Sequence, residues 1–164
     1  MENCLVLSGT GDLEQLQSFQ EGLFYIQDPA AKLSVLCAKL PKEEIRLLDC
    51  CSAPGGKSFA SAIAMGGKGS ITSCDIHPHK TALIENGAVR LGLTNITARC
   101  QDATEENPDW VGQMDTVLCD VPCSGFGVLS KKPELRYKDP SVSEALPDIQ
   151  LAILENACRY VKAG

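Results

Sequence analysis

Two short stretches of this chain hold the residues best suited to chemistry. In "DVPCSGFGVLSKKPELRYK", residues 120–138, a thiol at Cys123 stands between a proline and a serine, just after the apolar run "DTVLCD". That run is short, β-branched and bounded by turn residues, so it predicts a buried strand that carries Asp120 and Cys123 to its carboxyl edge. Ligands of open α/β sheets bind at that edge, which makes Cys123 a candidate nucleophile and Asp120 its acidic neighbour. The second stretch is "LLDCCSAPGGKS", residues 47–58. Its glycines permit a tight turn with close backbone approach, and the helix expected after it offers an N-terminus to a ligand.

Three further acids close apolar runs: Asp49, Asp75 and Asp102. Asp75 comes about 20 residues after the glycine turn, the spacing at which a nucleotide-binding βαβ unit places its ribose-binding carboxylate. Asp102 ends the next run, where an adenine amino group needs an acceptor. One such acid is explained by the preference of Asp for turns, whereas four at successive strand ends predict a site for a nucleoside-bearing cofactor. The loop is neither G-x-G-x-x-G nor G-x-x-x-x-G-K-S. An NAD-dependent oxidoreductase would need the first pattern and would leave P-C-S-G without a use. A module that binds cofactor or RNA without turnover is the remaining alternative.

The elements that must position these residues alternate along the chain. Asp28 and Pro29 read as an N-cap and first helical position, with Leu33, Leu36 and Leu40 as the apolar face. Strands are expected at 45–51, 69–76, 95–103 and 115–120, and helices at 59–65, at 78–92 with Leu83, Ile84, Ala88 and Leu91 facing inward, and at 147–162 with Ile149, Ile153, Ala157 and Tyr160 or Val161. Such alternation predicts an α/β fold, a parallel sheet with helices on both faces. The expected division is a lead-in segment, 1–28, and a core, 29–164. The last helix ends at "VKAG", where an alternating fold turns into its next strand, so the expectation is a domain truncated after the helix that follows the fourth strand.

Composition bounds the partners. With 15 basic and 21 acidic residues the net charge is −6, so nucleic acid has to be held by a local patch rather than by bulk charge. The run Lys131, Lys132, Arg136 and Lys138 around Tyr137 is such a patch, suited to phosphate contacts and base stacking. The nine cysteines lie mostly in apolar runs without C-x-x-C spacing, which predicts reduced, buried thiols, Cys119 in the strand interior among them, and no metal site. His77 and His79, at a helix start, are expected to be exposed and receive no role. No apolar run is long enough to span a bilayer and no leader pattern opens the chain, so a cytoplasmic protein is expected, with its oligomeric state open.

"LLDCCSAPGGKS", "CDIHPHK", "QDA" and "DVPCSGFGVLSKKPELRYK" closely resemble the Sun (Fmu) family of RNA (cytosine-5) methyltransferases, with its 16S ribosomal RNA branch as the nearest likeness. "FQEGLFYIQDPAAKL" is similar to the segment leading into that fold, so the resemblance covers residues 20 to 164. It implies a Rossmann-like class I methyltransferase that uses S-adenosyl-L-methionine. By position, Cys51, Ser52, Ala53, Pro54, Gly55, Gly56 and Lys57 surround the methionine part, Asp75 holds the ribose with Lys80 near it, Asp102 faces the adenine, and Asp120 lies beside the methionine and the target base. Gln101 and Tyr137 stand where the family often has glycine and tryptophan. The resemblance further implies two cysteines: a nucleophile in a T-C motif, which these 164 residues lack, and the P-C cysteine, here Cys123, which helps release the product. On that basis the fragment is expected to bind cofactor and to be inactive alone.

Overall fold

A computed structural model describes residues 3–9, 11–41, 43–129 and 132–163. After two helices, α1 (Gln17–Gln20) and α2 (Pro29–Cys37), its centre is a four-stranded parallel sheet of β1 (Arg46–Asp49), β2 (Ser70–Asp75), β3 (Ile96–Cys100) and β4 (Thr116–Leu118) in the order β3-β2-β1-β4. Leu48 pairs with Thr72 on one side and Val117 on the other, so β1 is the inner strand on which the topology reverses. A cleft is expected where β1 and β4 diverge, because the chain leaves them toward opposite faces.

Alternation along β1 sends Leu47 to one face and Leu48 to the other, both fully buried. Leu47 joins Ile71, Ala62 and Met65 beneath α3 (Gly56–Ala64), beside a cluster of Phe59, Ile84 and Ala88 that seats α4 (Pro78–Arg90). Leu48 joins Cys50, Cys74, Trp110, Met114, Ile153, Ala157 and Tyr160 under α5 (Leu146–Tyr160). Both faces are therefore covered, as the alternation predicts. Each fully buried leucine is worth about 1.5–3 kcal/mol relative to exposure.

Several boundaries and faces differ from expectation. All four strands are shorter at their ends than predicted, because residues beyond Asp49 and Leu118 leave the ladder to build loops. The helix α3 begins at Gly56 rather than 59: Gly55 already accepts the first helical bond, from the Phe59 amide at 2.8 Å, which draws Gly56 and Lys57 into the first turn. In the helix Pro29–Cys37 the buried residue is Val35, while Leu33 and Leu36 are about half exposed. This nine-residue helix packs chiefly on α3, so only one stripe of it is covered. On α4, Ile84 and Ala88 are buried as expected but Leu83 faces solvent, since neighbours at adjacent positions cannot share one face.

The segment ahead of the first long helix folds back onto this core. Arg90 Nη1 donates to Phe19 O at 2.6 Å and Phe24 O at 3.0 Å, and its guanidinium lies 3.7 Å from the Phe19 ring centroid. Tyr25 stacks edge-on against Phe59 at 6.0 Å. Gly22 has φ 77°, and a Cβ there would fall 1.8 Å from Arg90 O, so this crossing requires glycine on both counts.

Candidate active site

β1 delivers Asp49 to the sheet's carboxyl edge, completely buried. Its Oδ2 accepts from Ser58 Oγ at 2.7 Å, and Ser58 Oγ accepts in turn from Ser73 Oγ at 2.7 Å. Its Oδ1 has no hydrogen-bond partner. Burial pushes the Asp49 carboxyl up to about 6, against the lowering effects of the Ser58 hydroxyl and the Lys57 ammonium.

The loop that follows is fixed by its backbone. The Ser52 amide and hydroxyl both donate to Cys74 O, at 2.7 and 3.0 Å, tying the loop to β2. The Ala53–Pro54 peptide is cis, and the Gly55 amide donates to Ser52 O at 2.7 Å. Gly55 sits at φ 110°, where a Cβ would come within 2.4 Å of the Phe59 ring. Lys57, in the first turn of α3, forms an ion pair with Asp120 from beyond β4.

A cavity of about 210 Å³ opens here, between the loop (Cys51, Ser52, Ala53, Pro54, Gly56, Lys57), the carboxylates Asp49 and Asp120, and Ile26, Gln27, Asp28 and Ala31 from the preceding segment and helix. The structure thus gathers most of the loop residues anticipated from sequence with Asp120. It adds Ile26, Gln27, Asp28 and Ala31, which sequence reasoning did not assign to the site, and Asp49, which it gave no individual role. Asp49 had a visible signal, as one of the four acids at strand ends; Gln27 had none.

Asp75, which ends β2, and Asp102, two residues past β3, lie outside this cavity along the same edge. Asp75 is 9% exposed; its Oδ1 accepts from the His77 amide at 3.0 Å and lies 3.8 Å from Lys80 Nζ. Asp102 Oδ1 accepts from the Thr104 amide and hydroxyl at 2.9 and 2.7 Å. The strand order sets the four acids in the row Asp120, Asp49, Asp75, Asp102. Three strand spacings make that row about 14 Å long.

Cys123 is exposed and does not line the cavity. Its loop is anchored by Gln150 Nε2, which donates to Pro122 O at 2.7 Å, and by Lys138 Nζ, which donates to Ser124 O at 3.1 Å. Of the basic run, Lys131 lies outside the described residues. Lys132 precedes a 3-10 turn, Pro133–Tyr137, within which Arg136 Nε donates to Pro133 O at 3.0 Å and Tyr137 is 84% exposed. Cys119 is half-buried rather than in a strand interior, because β4 ends at Leu118 and Cys119 falls one residue past it. Burial pushes the Cys51 and Cys74 thiols up to about 12. Among the described residues no group of three or more His, Cys, Asp or Glu side chains is arranged to hold a metal, and no helix is long and apolar enough to cross a membrane.

Residues 36–164 match the family described as 16S rRNA methyltransferase RsmB/F. The chain belongs to this family. Among relatives, it is 45% identical over 156 residues to the probable ribosomal RNA small subunit methyltransferase B of Bacillus subtilis, covering 94% of this chain and 35% of that protein. It is 35% identical over 144 residues to the 28S rRNA (cytosine-C(5))-methyltransferase of Mus musculus, covering 87% and 18%. Among solved structures, PH0851 superposes with TM-score 0.89 at 28% identity, covering 95% of this chain and 35% of that one. NSun6 from Pyrococcus horikoshii, solved with SFG, gives 0.83 at 27% identity, covering 93% and 39%. The chain spans about a third of the length of the B-type bacterial relative it matches. Sheet order and likeness together give this RsmB/F-family chain a Rossmann-like class I methyltransferase fold, seen here as its four-stranded part.

Proposed function

We propose that this chain is the cofactor-binding part of an S-adenosyl-L-methionine-dependent RNA (cytosine-5) methyltransferase that acts on ribosomal RNA. The observation that carries the reading is the row of acids along one sheet edge, with a glycine-bearing loop and a cavity at one end. The donor set suits the cofactor: a buried carboxylate with a spare oxygen, on a side chain that lines the cavity, matches an ammonium, a second carboxylate on β2 matches ribose hydroxyls, and a third beyond β3 matches an adenine amino group. The two strand spacings from Asp49 to Asp102, ~10 Å, suit an extended nucleoside with an amino-acid tail. SFG, an S-adenosylmethionine analogue, accompanies the NSun6 neighbour.

In this reading Cys51 to Lys57 and Asp49 surround the methionine part, Asp75 takes the ribose with Lys80 beside it, and Asp102 takes the adenine. The bound cofactor supplies a methyl group on a positively charged sulfur. Carbon 5 of cytosine is a weak nucleophile until a thiolate adds to carbon 6; afterwards the proton on carbon 5 leaves and the carbon–sulfur bond breaks to restore the ring. Cys123, exposed three residues past Asp120, serves that release, and Asp120 orients the target base. Lys131, Lys132, Arg136, Tyr137 and Lys138 contact the RNA, the lysines and arginine at phosphates and the exposed tyrosine by stacking. Work on ribosomal RNA fits a cytoplasmic protein.

Binding separates this reading from a nicotinamide-dependent enzyme. Calorimetric titration is expected to show S-adenosylhomocysteine binding and none for NADH, and the reverse result would overturn the proposal.

A further inference from the structure

Among the described residues, four buried side-chain N or O atoms lack a hydrogen-bond partner, and two of them, Gln27 Nε2 and Asp49 Oδ1, belong to side chains that line the same cavity. One is a donor and the other an acceptor. A buried polar atom left unpaired costs its full desolvation, so a pair of opposite character in one cavity calls for a ligand bearing both an ammonium and a carboxylate. The amide of Gln27 is oriented by Tyr25, whose hydroxyl donates to Oε1 at 3.0 Å and leaves the NH₂ group unspent. That NH₂ packs against the start of α3: a Cβ on Gly56 would stand 3.3 Å from Nε2. The first amides of a helix have no partners within it and carry partial positive charge, so Gln27 adds a side-chain donor where an anion is already favoured. The ammonium of Lys57, the nearest cation in the loop, is taken by Asp120.

We infer that Gln27 is a cofactor-recognition residue, its amide donating to the carboxylate of the cofactor's amino-acid end while Asp49 accepts from the ammonium. The inference rests on the cofactor reading above and deepens it. It draws the segment ahead of the sheet into the binding site and makes that segment select cofactors that carry an amino-acid tail.

Calorimetry on the 164-residue chain with S-adenosylhomocysteine and with 5′-methylthioadenosine, which lacks the tail, tests it. The unchanged chain is expected to bind S-adenosylhomocysteine at least tenfold more tightly. Gln27→Met, similar in volume, is expected to weaken S-adenosylhomocysteine about tenfold and leave 5′-methylthioadenosine unchanged. Gln27→Glu keeps the shape and the oxygen that Tyr25 bonds but sets carboxylate against carboxylate, so it is expected to weaken S-adenosylhomocysteine further still. Unchanged S-adenosylhomocysteine affinity in both variants, or equal weakening of the two ligands as a packing role would give, overturns the inference and leaves the cofactor reading standing. Failure of the unchanged chain to bind either ligand overturns both.

Discussion

In the proposed function, Asp49 serves the cofactor site at the expense of the fold. Burial raises its carboxyl to about 6, whereas in the unfolded chain it titrates near 3.8. The folded state therefore holds a proton that the unfolded state has released between those values. The resulting stability is fully present below pH 3.8 and is lost as the pH rises through about 6. At pH 7.5 the protein buries a charge with one unpartnered oxygen. Asp49→Asn removes that charge and still lets Ser58 donate to the amide oxygen. It is expected to raise the unfolding midpoint at pH 7.5, by an amount worth at most roughly 3 kcal/mol, with little gain at pH 4. The same change should weaken S-adenosylhomocysteine, and the unchanged chain should lose affinity as pH falls through about 6. Thermal unfolding at the two pH values and a pH series of titrations check both; a variant less stable at pH 7.5 contradicts the account. The thiols divide by burial: only Cys50 and Cys74 are buried, where the apolar runs predict buried thiols generally, because most of the others lie at element ends or in loops. Iodoacetamide at pH 8 is expected to label Cys123 and the other exposed cysteines, Cys4, Cys37, Cys100 and Cys158, and to spare Cys50 and Cys74 in peptide mass spectra.

At the scale of elements, the loop after β1 and the segment packed on it form one device. Gly22 passes so close to Arg90 O that Gly22→Ala must both strain φ and push the backbone apart, at a cost of about 2–3 kcal/mol measured by urea unfolding. Because Gln27 follows five residues later, cofactor affinity should fall with it; stability and affinity both unchanged would show that this docking has no bearing on the site. Much of this level was legible in the sequence. Apolar runs ending in Asp gave the strands and the edge at which the cavity opens, and the glycine turn gave the loop. Helix faces were read less well: Leu33, Leu36 and Leu83 have the right character and spacing, but which stripe is buried depends on how much of a helix its neighbours cover. The start of α3 was missed by three residues because Gly55 adopts a conformation that only its contact with Phe59 explains. Gln27 was illegible, since its importance comes from lying against Gly56, a tertiary contact with no period or spacing to announce it.

At the scale of the molecule, the proposed function separates binding from turnover. The 164 residues contain the P-C-S-G cysteine but no T-C dipeptide, and their net charge of −6 gives little general attraction for RNA. Removing a nucleophile that works as part of a unit commonly costs several orders of magnitude in rate. Tritiated methyl transfer from S-adenosylmethionine to unmodified ribosomal RNA is therefore expected to be negligible with this chain. Robust incorporation that Cys123→Ala abolishes would make Cys123 the nucleophile itself. The cofactor site is the claim on which the rest depends, and Asp75 tests it most directly: it lies outside the cavity, on a different strand from Asp49, and only a ligand lying along the row of acids reaches it. Calorimetric titration with S-adenosylhomocysteine is predicted to show a single site in the unchanged chain, weakened at least tenfold in Asp75→Ala with the fold retained. Equal affinity in the two proteins would contradict the account.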